Sequence, residues 1–393
     1  MRFPGFEDAW EVKKLGEVMD FKVTNSFSRE NLNYEYGTVK NIHYGDIHTK
    51  FQTLFDINYE SVPFINEEID ISRISEENYC KNGDVIFADA SEDLNDVGKS
   101  IEIININEER LLSGLHTLLA RPKKDIFHLG FSGYLFKSNS VRTQIQKESQ
   151  GSKVLSISVG RISKIELSFP SVEEQKKISS FLALLDERIQ TQSKIINDLK
   201  TLKIATAKKI FSGELRFKDD NGNDFSEWED KKLGDISIKK SSNISANTLE
   251  ENQGNFKIYG ANGLLKEIDF YREEKPYIAI VKDGAGVGRL LLCEGKSSVL
   301  GTLDIIKNKE QTDLLFLYYL LETIDFTKFT TGSTIPHIYF KDYSKEIIGL
   351  PSFPEQTKIA NFLSSIDSKI DIENQLLQKL EAQKKYLLQN MFV

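Results

Sequence analysis

Pro170-Ser171-Val172-Glu173-Glu174-Gln175-Lys176-Lys177-Ile178 recurs as Pro351-Ser352-Phe353-Pro354-Glu355-Gln356-Thr357-Lys358-Ile359, and both copies run into a long apolar-periodic stretch. The same offset, 181 residues from Pro170 to Pro351, aligns Phe181 with Phe362, Leu182 with Leu363, Asp186 with Asp367, Ile189 with Ile370, Leu199 with Leu380 and Phe211 with Phe392. An ungapped match over that span marks a duplicated half.

A second pair of markers lies upstream. Trp10-Glu11-Val12-Lys13-Lys14-Leu15-Gly16-Glu17-Val18 returns as Trp228-Glu229-Asp230-Lys231-Lys232-Leu233-Gly234-Asp235-Ile236, now 218 residues on, so the body between the markers is 37 residues longer in the first half. Each half is a constant entry, a variable body and a constant exit. Periods this long are domain duplications, because solenoid units recur at roughly 20 to 50 residues. The expected domains are a first variable domain at 1-170, a central helix at 171-217, a second variable domain at 218-350 and a C-terminal helix at 351-393, with the polar run Arg216 to Glu227 linking the halves.

The exits read as helices. Ile178, Leu182, Leu185, Ile189, Ile196 and Leu199 follow alternating steps of four and three, with Gln192 at the one polar place; Ile359, Leu363, Ile366, Ile370, Leu377 and Leu380 repeat the series around Glu373. Two matching stripes of about forty residues, roughly 60 Å each at 1.5 Å per residue, are most simply buried against each other in an antiparallel coiled coil. The bodies read as mainly β: Lys81-Asn82-Gly83-Asp84-Val85-Ile86-Phe87 is a turn entering a strand, Pro276 to Val281 is a strand, and Leu314 to Thr323 has helical character. The fold class is therefore α+β, with two mixed α/β domains related by pseudo-two-fold symmetry and separated by two long helices.

Composition narrows the function. With 39% hydrophobic and 28% charged residues this is a globular chain, too long for one ordinary core. The start lacks a signal-peptide core, and Cys80 and Cys293 lie outside any metal spacing, so free thiols in a reducing cytoplasm are expected. A net charge of −8 argues against a protein that coats nucleic acid alone, though Lys194 to Lys218 carries seven basic residues against two acidic ones.

Several catalytic patterns fail on context. Gly98-Lys99-Ser100 and Gly295-Lys296-Ser297 end like phosphate-binding loops, but Asp93 and Leu290 stand where the motif needs its first glycine. Asp283-Gly284-Ala285-Gly286-Val287-Gly288-Arg289 runs into the short apolar Leu290-Leu291-Leu292-Cys293, which fits a glycine-rich β-hairpin better than a dinucleotide fold. The histidines, His43, His48, His116, His128 and His337, show no metal spacing, and no acid/base pair or nucleophile can be assigned. A long duplicated chain without chemistry points to a scaffold or a reader.

At its paired Pro-x-x-x-Glu-Gln and Trp-x-x-Lys-Lys-Leu-Gly markers the chain resembles the specificity subunits of type I restriction-modification systems, over essentially its whole length. A third match, Gly151-Ser152-Lys153-Val154 with Gly332-Ser333-Thr334-Ile335, keeps the 181 offset. The resemblance implies two target-recognition domains that each read half of a split, asymmetric DNA site, with helix length setting the unread spacer. It implies no catalysis and no cofactor in this chain. S-adenosylmethionine would belong to two methyltransferase subunits that modify adenine, and ATP and Mg to restriction subunits. A stand-alone pseudo-dimeric DNA-binding regulator is the alternative. Candidate DNA contacts in the first body are His43, Tyr44, Asp46, Lys50, Ser152 and Lys153; in the second they are Tyr259, Asn262, Lys282, Arg289, Ser333, Thr334 and His337.

Overall fold

The computed structural model describes residues 1–392. Two compact units emerge: Met1–Ser193 with Leu376–Val393, and Lys194–Gln375. Each contains one variable body, the beginning of one long helix and the end of the other.

In the first unit a five-stranded sheet runs in the order Met19–Lys22, Thr117–Pro122, Val85–Ala88, Ser100–Asn105, Leu54–Asp56, antiparallel except for the last pair. A second sheet, Leu111–Ser113, Lys40–Ile42, Phe64–Ile65 and Leu32–Asn33, stands beside it. The second unit repeats a reduced version. Ser237–Ser241, Leu303–Asn308, Tyr277–Val281 and Leu290–Cys293 form a fully antiparallel sheet in the corresponding order, and Gly263–Ile268, Phe256–Gly260 and Ser298–Val299 form the smaller one. The expected strand at Pro276 to Val281, the hairpin around the glycine loop and the helix Leu314–Glu322 are all present. Part of the extra length of the first body supplies the added edge strand Leu54–Asp56.

The exit helices are Val172–Phe211 and Phe353–Asn390, 40 and 38 residues long. Glu173 and Glu174 in one first turn and Glu355 in the other face the positive helix end. In unit one, Ile178 and Leu182 from the start of the central helix share a core with Leu387 from the end of the C-terminal helix and with Met391 and Phe392 just beyond it. In unit two the roles exchange: Ala207 and Ile210 close on Ile359, Ala360 and Leu363. Within each unit, then, the two helices run antiparallel. Duplicate ion pairs mark the contact. Asp186 meets Lys384 and accepts from the Tyr134 hydroxyl at 2.9 Å; Asp367 meets Lys203 at 2.8 Å and accepts from the Tyr319 hydroxyl at 2.8 Å.

The repeated Glu-Gln pair does structural work in both units. Glu174 takes the Arg2 guanidinium at 2.6 and 3.0 Å, and Glu355 takes that of Arg216 at 2.9 and 3.2 Å. Arg216 thus ties the polar linker to the helix start, reinforced by its 2.6 Å bond to the Ser226 carbonyl. The Trp-x-x-Lys-Lys-Leu-Gly entries form strands Glu11–Lys14 and Glu229–Lys232, each paired with the strand just before an exit helix. Their glycines are explained by close approach. A Cβ on Gly16 would lie 3.0 Å from the Ser163 Cβ, and one on Gly234 would lie 3.2 Å from that of Ser344. Both cysteines are buried thiols. No helix among the described residues is long and apolar enough to cross a membrane.

Candidate nucleic-acid interface

In unit one the exposed edge begins where strand Lys40–Ile42 turns into the helix Tyr44–Thr49. His43 caps that helix, its Nδ1 accepting the Gly45 N–H at 3.1 Å. Burial, then the neighbouring Arg29 charge, lowers the His43 pKa, so the ring remains a neutral acceptor. The Tyr44 ring lies 4.6 Å from His43 and meets His48 and His116 edge-on at 5.9 and 5.3 Å. His48 Nε2 sits 3.1 Å from the Ala90 carbonyl, and Ala90–Ser91 pairs with Leu155–Ser156 on the return side of the turn Gly151–Val154. That turn needs its glycine: φ is +132° and a Cβ would fall 1.9 Å from the Val154 carbonyl oxygen. Ser152 and Lys153 are exposed at its tip.

Beneath this edge lies Asp46, fully buried. Its Oδ1 takes Arg29 Nη2 at 2.6 Å and Lys50 Nζ at 3.0 Å, while the Tyr34 hydroxyl receives Arg29 Nη1 at 3.3 Å and Lys50 Nζ at 3.1 Å. The hydrogen bond to Asp46 raises the Arg29 pKa, keeping that cation charged.

In unit two, strand Phe256–Gly260 turns through Ala261 and Asn262. Arg289 Nη1 donates to the Ala261 carbonyl and to Asn262 Oδ1, both at 2.9 Å. The glycine loop sits against the turn 332–335: the Gly284 N–H donates to the Pro336 carbonyl at 2.9 Å, and Asp283 bridges His337 with Oδ1 and Nδ1 3.5 Å apart. Gly332 has φ +89°, and a Cβ there would meet the Ile335 carbonyl oxygen at 2.5 Å. Ser333 and Thr334 are exposed. Lys282 is held at 3.3 Å by Asp304, and Tyr259 is half-buried, its phenol pKa raised by that burial.

Behind the differing side chains the two scaffolds are the same. The bridge Ala90 to Ser156 corresponds to Asp283 to His337, and Gln150 to Ser156 corresponds to Thr331 to His337. The Gly98 N–H donates to the Ala88 carbonyl at 2.8 Å, as the Gly288 N–H does to that of Val281 at 2.8 Å. Lys99 therefore occupies the position of Arg289, and it too reaches across to a backbone carbonyl, that of His48 in the helix Tyr44–Thr49, at 2.7 Å. Gly98-Lys99-Ser100, rejected as a phosphate loop, is unit one's copy of Gly288-Arg289-Leu290.

In unit two Asn262, Lys282, Arg289, Ser333, Thr334 and His337 lie on the connected loops of one edge, while the Tyr259 side chain packs on the core beside Cys293. Of the six candidates in unit one, Tyr44, Lys50, Ser152 and Lys153 reach its surface, whereas His43 and Asp46 are buried at 7% and 0% exposure and hold the Gly45 N–H and the Arg29 and Lys50 cations in place. Sequence reasoning passed over Arg29, Tyr34, Lys99 and His116. Only the glycine before Lys99 and before Arg289 carried a signal.

Comparison with known proteins follows the same division. The type I restriction modification DNA specificity domain matches residues 7–201 and 225–382. The putative type I restriction enzyme MjaX specificity subunit of Methanocaldococcus jannaschii is 25% identical, over 96% of this chain and 92% of its own. A putative type I specificity subunit of Mycoplasma genitalium is 24% identical over 67% of this chain and 70% of its own. In fold, the chain matches the crystal structure of a type I restriction-modification S subunit from M. genitalium with a TM-score of 0.60 at 17% identity, covering 100% of this chain and 97% of that one.

Proposed function

Because the chain belongs to the type I restriction-modification DNA specificity family, we propose that it reads a bipartite, asymmetric DNA site, one half through each unit. It does so for partners that carry the chemistry. Two methyltransferase subunits with S-adenosylmethionine would modify adenine, which must leave the base stack to react, and restriction subunits using ATP and Mg would cleave.

One observation carries this reading: the two units repeat one hydrogen-bonded edge scaffold and differ in what it displays, Tyr44, Lys50, Lys99, Ser152 and Lys153 in one and Asn262, Arg289, Ser333, Thr334 and His337 in the other. Equivalent frames with unlike side chains suit unlike half-sites. Lysines and arginines at each edge supply phosphate contacts despite the acidic overall balance.

Mapping N6-methyladenine in methylation-free cells that express the chain with its cognate methyltransferase tests it. Two unlike half-sites separated by a fixed unread spacer are expected. An unsplit motif, or tight sequence-specific binding by the chain without partners, would replace this reading with that of a stand-alone regulator.

A further inference from the structure

A buried carboxylate is costly unless paired, and Asp46 finds its charged partners only at the surface. Arg29 and Lys50 are 44% and 49% exposed against 0% for Asp46. The second carboxylate oxygen, Oδ2, is buried with no hydrogen-bond partner among the described residues. The pairing therefore serves the cations more than the core.

The backbone under Arg29 is fixed as well. Arg29–Asn31 is a single 3-10 turn, with the Ser28 N–H donating to Asn31 Oδ1 at 3.0 Å, Asn66 Nδ2 donating to the Glu30 carbonyl at 3.0 Å, and the Asn66 N–H donating to the Asn31 carbonyl at 2.9 Å. Asp46 and Tyr34 use two of the guanidinium's five N–H groups, so three remain for a ligand. Tyr34 is itself 51% exposed. A planar donor held in one orientation beside Gly45, in the first turn of the helix Tyr44–Thr49 that His43 caps, is built for a planar acceptor edge. Lys50, a point charge on a flexible stem, suits a phosphate.

Resting on the DNA-reading function proposed above, we infer that Arg29 is a base-reading residue of unit one that selects guanine, and that Asp46 is the positioning residue that aims it. Guanine presents the paired O6 and N7 acceptors that a guanidinium bridges. Unit two has no counterpart, because the Ala261-Asn262 turn stands where unit one has the helix Tyr44–Thr49. The preference belongs to one half-site only.

The test is selection from random duplexes by the chain in complex with its methyltransferase subunits, as wild type and as Arg29→Ala, Arg29→Lys and Asp46→Asn. Wild type should require guanine at one position of one half-site. Both Arg29 variants should lose that preference by about 5- to 150-fold and leave the other half-site unchanged; Asp46→Asn should relax the same position. Thermal unfolding checks each variant, and Arg29→Lys, which keeps the ion pair, carries the comparison if the alanine variant does not fold. If Arg29→Ala weakens all sequences equally and shallows the salt dependence, or if Arg29→Lys retains the guanine preference, Arg29 is a phosphate contact and the inference is overturned. A wild-type complex that selects no split sequence sinks the underlying function instead.

Discussion

Gln356→Ala should cost unit two about 3 kcal/mol, and the structure supplies the figure. Gln356 is 1% exposed; its Oε1 accepts the Asp313 N–H at 2.9 Å, and its Nε2 donates to the Gln311 and Pro351 carbonyls at 3.2 and 2.9 Å. Three hydrogen bonds at about 1 kcal/mol net each give that total, and unpaired buried backbone groups left behind push it upward. Gln175 repeats the pattern with the His128 N–H at 2.8 Å and the Ile126 and Pro170 carbonyls at 3.0 and 2.9 Å, so Gln175→Ala should cost unit one a similar amount. Gln356→Glu should be no milder, because a carboxylate keeps the acceptor but loses both donors and faces two carbonyl oxygens. Each half holds one tryptophan, so urea unfolding followed by Trp228 fluorescence in a Trp10→Phe background reports on unit two. Hydrogen exchange of the Asp313 amide should accelerate by about two orders of magnitude. A loss below about 0.5 kcal/mol, or a glutamate variant as stable as wild type, would refute the idea that this side chain locks the helix start to the body.

The entry glycines should resist even one added carbon: Gly16→Ala drives a Cβ against Ser163 while the Gly16 N–H remains bonded to the Ser163 carbonyl at 3.0 Å, so a loss of about 1–2 kcal/mol is expected. An unchanged melting temperature would contradict this. Glu102 gives a pH dependence. Its carboxyl is buried, accepts the Gly130 and Gly133 N–H groups at 2.7 Å each, and is pushed by burial from 4.5 up to about 7. Because the folded state then holds a proton that the unfolded state releases, stability should fall as pH rises through 4.5 to 7, by up to roughly 3 kcal/mol. Urea unfolding at pH 5 and pH 8 should show this loss in wild type and a flatter profile in Glu102→Gln; equal profiles would dismiss it.

Linear patterns made the duplication, the exit helices and several of the central strands legible, because heptad spacing, apolar runs and repeated markers are properties of the chain order alone. The candidate edges were only half legible. The equivalence of the turns that carry Ser152, Lys153, Ser333 and Thr334 is legible because they keep the 181-residue offset, whereas Lys99 and Arg289 sit in bodies whose loop lengths differ, so their equivalence is visible only through the shared carbonyl bonds of Gly98 and Gly288. The pairing of exposed Arg29 with buried Asp46 has no linear signal, because burial and ion pairing depend on what folds over a residue.

The sequence by itself determined that two like halves exist, where their repeated markers stand, and that long helices follow each body. Only the tertiary structure decided how a half is completed. The core of unit one needs Leu387, Met391 and Phe392 from the far end of the chain, and that of unit two needs Ala207 and Ile210 from the end of the helix that began in unit one. Periodicity says that an apolar stripe must be buried; which surface buries it is settled by shape and by pairs such as Asp186 with Lys384, which no local pattern encodes.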